Sequence, residues 1–338
     1  MQHKLLLGST ALVSAGLVMS SAQAQEVGGI EVVLGGYTEF GVKAGESLEP
    51  GPDRGYFFFM DNEVFINANG ATDSGILYGS KIELEAASGN GNVSDATVDE
   101  VALFFSGNFG RIELGREDGA EDVMGINGAD AQAGTGGIDG DTQNLVQFEN
   151  LDTGDSAKVT YFTPRVAGFQ LGGSFIPDNG DGIDDNTEGE QENIVGAGIN
   201  WVGALGALDL TVAGTGVFGQ NEGDGDDLRS WDAGALLGFG GFTLGAGVGQ
   251  NTDFAEADFL NAGLKYGFGA ANVSVGYVFF DPDGGEEANL FAASADVGLL
   301  PGVTLKGDVT YNTDDADANG GTDTDETLQG VVTVQLDY

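Results

Sequence analysis

The sequence has no cysteine among its 338 residues and only one histidine, His3. Without thiols there is no disulfide framework, no thiolate nucleophile and no Cys-ligated metal site. His3 lies in a segment that we expect to be removed, so the mature chain would also lack the commonest general base and transition-metal ligand. Ser-His-Asp and Cys-His catalysis are therefore excluded, and we expect no enzymatic activity.

Basic residues are scarce: 11 Lys and Arg stand against 54 Asp and Glu, for a net charge of −43. A charge of this size keeps a protein soluble and repels anions. Because nucleic-acid binding depends on neutralising phosphates with Lys and Arg, nucleic acid is not an expected partner.

Long apolar runs are missing beyond the first 24 residues. The chain opens with Lys4, an apolar stretch from Leu5 to Met19, and the small-x-small triplet Ala22-Gln23-Ala24. This pattern predicts a secretory signal over residues 1–24, with a mature chain from Gln25. The remaining sequence has no stretch near the 18 apolar residues that a membrane-spanning helix requires, yet 41% of all residues are apolar.

Apolar and polar residues alternate with a period of two along most of the chain, which is typical of β-strands with two different faces. In FGRIELG, for example, Ile112 and Leu114 oppose Arg111 and Glu113. Seven short turns marked by Gly or Pro alternate with eight long acidic loops, which predicts sixteen strands. The turns are at 70–75, 107–110, 164–168, 203–207, 238–241, 267–270 and 299–302.

An even number of strands with short turns on one rim and long loops on the other is the pattern of an outer-membrane β-barrel. Because lipid offers no hydrogen-bond partners to the backbone, a sheet can span it only by closing on itself. Closure requires the last strand to pair with the first. We therefore predict an all-β, 16-stranded antiparallel transmembrane barrel over residues 25–338, in which residues 327–338 pair with the strand near 29–43. The last strand presents four residues on one face: Val332, Val334, Leu336 and Tyr338.

Two stretches and the C-terminal strand resemble the Gram-negative general porins, particularly the alphaproteobacterial branch. SGNFGRIELGRED (106–118) is similar to the turn, fifth strand and start of the third loop, and VTYFTPRVAGFQLGGSF (159–175) to the next two strands. The C-terminal strand resembles the family's assembly signal, with Tyr338 where Phe is usual. The resemblance implies a homotrimer of outer-membrane barrels. In each barrel an inward-folded third loop would narrow a water-filled channel for passive diffusion of small hydrophilic solutes and ions.

The third loop, about 117–155, is too long to be an idle connection, so we assign it to the lumen. By resemblance, basic wall residues face acidic loop residues across the constriction, and such charges select ions. The basic wall residues are Lys43, Lys81, Arg111, Arg116 and Lys158, and the loop acids are Glu117, Asp118, Glu121 and Asp122. The dominance of acid predicts a preference for cations. The alternative is that these charges are locally paired and irrelevant to passage.

Other interpretations stay open on sequence alone. The channel could be substrate-selective, or the chain could be a secreted acidic calcium-binding β protein. An outer-membrane hydrolase is disfavoured by the missing histidine. We expect no cofactor, although weakly bound Ca²⁺ in acidic loops such as 178–190 is an alternative, as is bridging of these loops to lipopolysaccharide by divalent ions. Glycines within strands, as in NIVGAGINW (193–201) and TLGAGVGQ (243–250), indicate either a smooth subunit contact or room for lumen side chains.

Overall fold

The fold is seen in a computed structural model, which describes residues 25–27, 29–45, 55–85, 97–142, 153–178, 191–221, 227–251, 257–283, 285, 287–314 and 325–338. The predicted signal at 1–24 and most of the acidic loop 178–190 lie outside these ranges. The described residues form one antiparallel sheet with these strands: β1 Gln25–Val27, β2 Ile30–Gly45, β3 Tyr56–Ala71, β4 Leu77–Glu85, β5 Thr97–Gly107, β6 Gly110–Arg116, β7 Ala157–Phe162, β8 Phe169–Asp178, β9 Gln191–Leu205, β10 Leu208–Asn221, β11 Leu228–Phe239, β12 Phe242–Asn251, β13 Ala257–Phe268, β14 Ala271–Pro282, β15 Ala288–Leu300, β16 Val303–Asp314 and β17 Asp325–Asp337.

The sheet closes on itself through its last long strand. Each strand from β2 to β17 pairs with its neighbour in sequence, and β17 pairs with β2 in a register that places Val332 opposite Val42. Tyr338 continues this pairing: its N–H donates to the carbonyl of Gly36, and its carbonyl accepts from the Gly36 N–H, both at 3.0 Å. The predicted closure into a sixteen-stranded barrel is confirmed.

The three-residue strand β1 was not predicted. It pairs with the first residues of β2, with Gln25 opposite Val32. β3 pairs with one edge of β2 along nearly its whole length, so β1 pairs with the other edge. This is the edge that β17 also uses, further along β2. β1 therefore pairs with backbone groups of Ile30 to Val32 that β17 does not reach.

All seven predicted short turns connect neighbouring strands at one rim. Several need a residue in the left-handed backbone region, as at Gly206 (φ +71°) and Gly302 (φ +74°), where glycine has no Cβ to clash. Phenylalanine side chains beside these turns are exposed, and Trp201 is partly exposed next to Phe169. The exposed residues are Phe109, Phe169, Phe239, Phe242 and Phe268. Aromatic rings at this height are typical of the membrane–water interface.

The two faces of the wall differ as the alternation predicts. On β2, Leu34 and Phe40 are half exposed, whereas Glu39 between them in the alternation is only 5% exposed. The outward set is almost wholly apolar and the inward set mostly polar, which reverses the usual arrangement of a soluble protein. Among the described residues no helix is both long and apolar enough to cross a membrane.

Candidate pore constriction

The segment after β6 lies against the inner face of the barrel. It contains a single helical turn, α1 (Ala120–Val123), and two 3-10 turns, Ala129–Ala131 and Gly137–Asp139. The helix contacts β7 to β10, the first 3-10 turn contacts β12 to β14, and the second contacts β14 to β16. In the described part, 117–142, the chain thus runs along more than half of the wall.

Backbone N–H groups of this segment donate to inward-facing side chains of the wall. Such bonds replace the ladder that a strand or long helix would give, because a segment inside the barrel cannot leave its donors without partners. The bonds run from Ala120 to Ser174 (2.7 Å), Gly128 to Asn261 (2.5 Å), Ala133 to Ser274 (2.8 Å), Gly134 to Asp296 (3.2 Å) and Thr135 to Asp308 (2.7 Å).

A cluster of charges surrounds the point where the segment leaves the wall. The ammonium group of Lys81 on β4 lies 2.9 Å from Glu83 and 3.2 Å from Glu117, and it also bonds Glu100 on β5. The four side chains join two strands to the first residue of the loop. We call them the neck cluster.

Lys158 on β7 holds the two ends of the loop together. Its ammonium group donates to the carbonyl oxygen of Glu117, at 2.5 Å, and to that of Gly154. The side chain is almost fully buried, at 5% exposure for the residue. Lys158 thus faces inward, as alternation predicts, but its bonds go to the loop backbone.

Two carboxyl groups near the ends of the loop, those of Glu117 and Asp155, have raised pKa values. Burial raises the pKa of Glu117 to about 7, although the nearby Lys81 opposes the shift, and the charge of Glu100 adds to it. Burial also raises the pKa of Asp155 to about 6, and the charges of Asp99 and Glu100 add to it. A carboxyl group in water titrates near pH 4, so both groups gain protons at a higher pH than a carboxyl group in water does.

The other wall cations named by the sequence have close partners. Arg111 lies 2.5 Å from Glu113 on its own strand and 4.2 Å from the centre of the Phe104 ring. Lys43 lies over the ring of Phe59, at 4.7 Å. A carboxylate beside a cation cancels much of its field, as Glu113 does for Arg111, whereas stacking on a ring leaves the charge of Lys43 in place.

Arg116 differs from the other four basic residues. It is exposed and has the parity of the outward-facing Leu114, and its Nε donates to the carbonyl of Asp155 at 2.9 Å. Arg116 does not lie on the inward face, so its position does not support a role in the constriction.

The four loop acids are not equivalent. Glu117 belongs to the neck cluster, whereas Glu121 is buried between α1 and β9, at 2% exposure, and accepts a 2.5 Å bond from Thr153. Carboxylate oxygens of Asp118, Glu100 and Asp155 lie within 4.8 Å of one another. Asp122 is partly exposed at the end of the helical turn.

The carboxylates of the wall itself were not among the predicted site residues. Six of them, on strands β2 to β6, belong to the inward set: Glu39, Asp61, Glu63, Glu83, Glu100 and Glu113. The alternation already placed Glu39, Glu83 and Glu113 inward, but only the cations were assigned to the site. Counting both signs on the inward face would have shown an acidic wall.

A family model for Gram-negative porins matches residues 8–317. The chain belongs to the Gram-negative porin family. Its fold agrees with solved porins of Rhodopseudomonas blastica, with 18% identity and a TM-score of 0.67 for one variant, over 91% of this chain and 100% of that chain. An anion-selective porin from Comamonas acidovorans gives 17% identity and a TM-score of 0.69, with the same coverage. No curated protein matches the sequence.

The porin is accordingly a passive channel of the Gram-negative outer membrane for small solutes and ions, and not an enzyme. At identities below one fifth the solved structures speak for the fold alone. The Comamonas porin is anion-selective, so ion preference within this fold depends on side chains rather than on the barrel.

Proposed function

We propose that the channel prefers cations and that its narrowest part lies between the segment 117–142 and the acidic wall of β2 to β6. The observation that carries the proposal is the pairing of the basic wall residues. Lys81 contacts three carboxylates, Arg111 contacts one, and Lys306 lies 3.2 Å from Glu39. A passing ion would meet cations that are already neutralised, and further carboxylates beside them.

The position of the segment supports the same conclusion. A wide sixteen-stranded barrel leaves an aqueous channel unless something fills part of it. Among the described residues, the segment 117–142 lies along β7 to β16 and leaves the inner face of β2 to β6 uncovered, where the six wall carboxylates lie. Fixed negative charge at a narrow, water-filled place attracts cations and repels anions.

Reversal potentials in planar bilayers test the proposal. With a tenfold KCl gradient across a membrane that contains the refolded porin, we expect the sign that indicates K⁺ permeation, and the preference should weaken in 1 M salt, where charges are screened within about 3 Å. A reversal potential of the opposite sign would contradict it. Arg111→Ala, which releases Glu113, should make the preference stronger.

The proposal extends to assembly and to the loops. The porin would be exported with removal of residues 1–24, form a homotrimer, and contact lipid and lipopolysaccharide, with divalent ions such as Ca²⁺ at acidic loops. The broad apolar outer face supports membrane insertion. Conductance that appears in groups of three equal steps would support the trimer, and single independent steps would contradict it.

A further inference from the structure

We propose that the inner wall carries a built seat for the segment 120–138, in which inward-facing glycines set how far the segment projects into the pore. This inference rests on the proposed role of the segment in narrowing the channel. The glycines, here called the glycine bed, come from six strands between β8 and β14: Gly172, Gly196, Gly198, Gly234, Gly245, Gly247, Gly263 and Gly276.

At three positions the backbone of the segment occupies the place of a side chain. A Cβ atom on Gly245 would lie 2.6 Å from the carbonyl oxygen of Asn127. On Gly234 and Gly263 it would overlap the carbonyl oxygens of Ile126 and Gly128. Because backbone atoms cannot rotate away as a side chain does, the segment can lie at this depth only above glycine.

At the ends of the bed the gaps are filled by side chains of the segment. A Cβ atom on Gly172 would lie 2.5 Å from Sδ of the buried Met124, and one on Gly276 would lie 2.5 Å from Cγ2 of the buried Ile138. The segment therefore inserts apolar side chains into the wall at both ends and its backbone in the middle.

On three strands a bed glycine lies two residues away from a side chain that accepts a hydrogen bond from the segment. On β8, β13 and β14, the residue two positions from a bed glycine accepts a backbone N–H of the segment: Ser174 beside Gly172, Asn261 beside Gly263, and Ser274 beside Gly276. Residues two apart on a strand share a face. Each of these strands thus offers a gap and an acceptor at adjacent places.

Two glycines on the outward face, Gly173 and Gly214, have no close contact with the segment. A Cβ atom on Gly173 or Gly214 would have its nearest neighbour at 3.8 Å or 3.7 Å, an ordinary contact. Glycine in a strand costs about 0.5–1 kcal/mol relative to alanine. On the inward face of β8 to β14, glycine is needed because the segment comes so close to the wall. Of the two explanations for strand glycines, a smooth subunit contact or room inside the lumen, this close approach favours room inside the lumen.

Single-channel conductance of alanine variants tests the inference, with the neighbouring pair Gly172 and Gly173 as a matched comparison. Gly172→Ala, Gly234→Ala and Gly263→Ala should each change the open-channel conductance by at least about 1.5-fold and increase flicker, because a methyl group must push the segment by about one to two ångströms. Gly173→Ala and Gly214→Ala should leave conductance within about a tenth of the wild-type value.

A compensating variant separates displacement of the segment from damage to the barrel. Met124→Ala removes the side chain that Gly172→Ala would strike, so the double variant should return conductance towards the wild-type value. Equal effects of Gly172→Ala and Gly173→Ala, or no rescue by Met124→Ala, would overturn the inference. A variant that does not fold is recognised by loss of heat-modifiable migration in gels, and Gly276→Ala with Ile138→Ala then provides the second compensating pair.

The two proposals fail in different ways. If the wild-type channel prefers anions, the ion preference is wrong, but the conductance comparison of bed and control glycines keeps its meaning. If the wild-type channel prefers cations and the bed variants behave like the controls, the inference about the glycine bed alone is wrong.

Discussion

The two parts of the segment inside the barrel are held by different forces. At the neck, Lys81 and Lys158 join the loop ends to β4 and β7 through charged groups. From Ala120 to Ile138, the segment is held by shape and by backbone N–H bonds to wall side chains. pH and charge therefore act on the neck, whereas side-chain volume acts on the seat.

The largest effect is expected from breaking the neck at Lys158. Lys158→Met keeps much of the buried stem but removes the donor that bonds the carbonyl oxygens of Glu117 and Gly154, and losing a bond to a buried group costs about 1–3 kcal/mol. We expect a lower free energy of unfolding, measured in urea with lipid vesicles, and a larger, noisier conductance.

Lys43→Met is the matched control for that variant. It removes the same charge from the inner face, where Lys43 lies over Phe59 rather than at the loop ends. If both variants changed conductance and stability equally, the effect would belong to charge in general, and the distinct role of the neck would be lost.

A smaller effect is expected from pH. Because the pKa values of Glu117 and Asp155 are raised to about 7 and about 6, both groups are ionised at pH 8 and mostly protonated at pH 5. The cation preference should therefore fall as pH decreases across this range, while carboxyl groups with ordinary pKa values keep their charge. Reversal potentials at pH 8, 7, 6 and 5 measure the change, and a preference that rises towards pH 5 would contradict the assignment.

The smallest effect distinguishes two loop acids. Glu117→Gln should remove part of the change in ion preference near pH 7, because it deletes a group that titrates there. Glu121→Gln should alter ion preference little, because the side chain of Glu121 is buried against Gly196 of β9. Comparable effects of the two substitutions on the reversal potential would show that the buried position of Glu121 does not shield it from the pore.

The barrel could be read from the sequence because its rules are local. Alternation decides which face a residue such as Phe40 or Glu39 takes, and the seven turns fix how neighbouring strands pair. Closure between Tyr338 and Gly36 followed from the need of a sheet in lipid to have no free edge. Only β1 was not predicted, because three residues are too few to show an alternation of apolar and polar residues.

The site could be predicted only in part. Alternation placed Lys81 and Lys158 inward, but it could not show that one bonds three carboxylates and the other the loop backbone. Apart from Glu83 on the same strand as Lys81, those partners come from β5 and from the two ends of the loop, and only the tertiary structure brings them together. The buried position of Glu121 depends in the same way on where α1 lies.

By itself, the sequence determined the strands, their faces, their order and the acidic character of the lumen, because each follows from neighbours along the chain or from the demands of lipid on the backbone. The tertiary structure alone decided where the segment rests, which glycines receive it and which wall cations are neutralised. These depend on distances between strands far apart in the chain, such as β8 and Met124 or β13 and Gly128, and no local pattern encodes such distances.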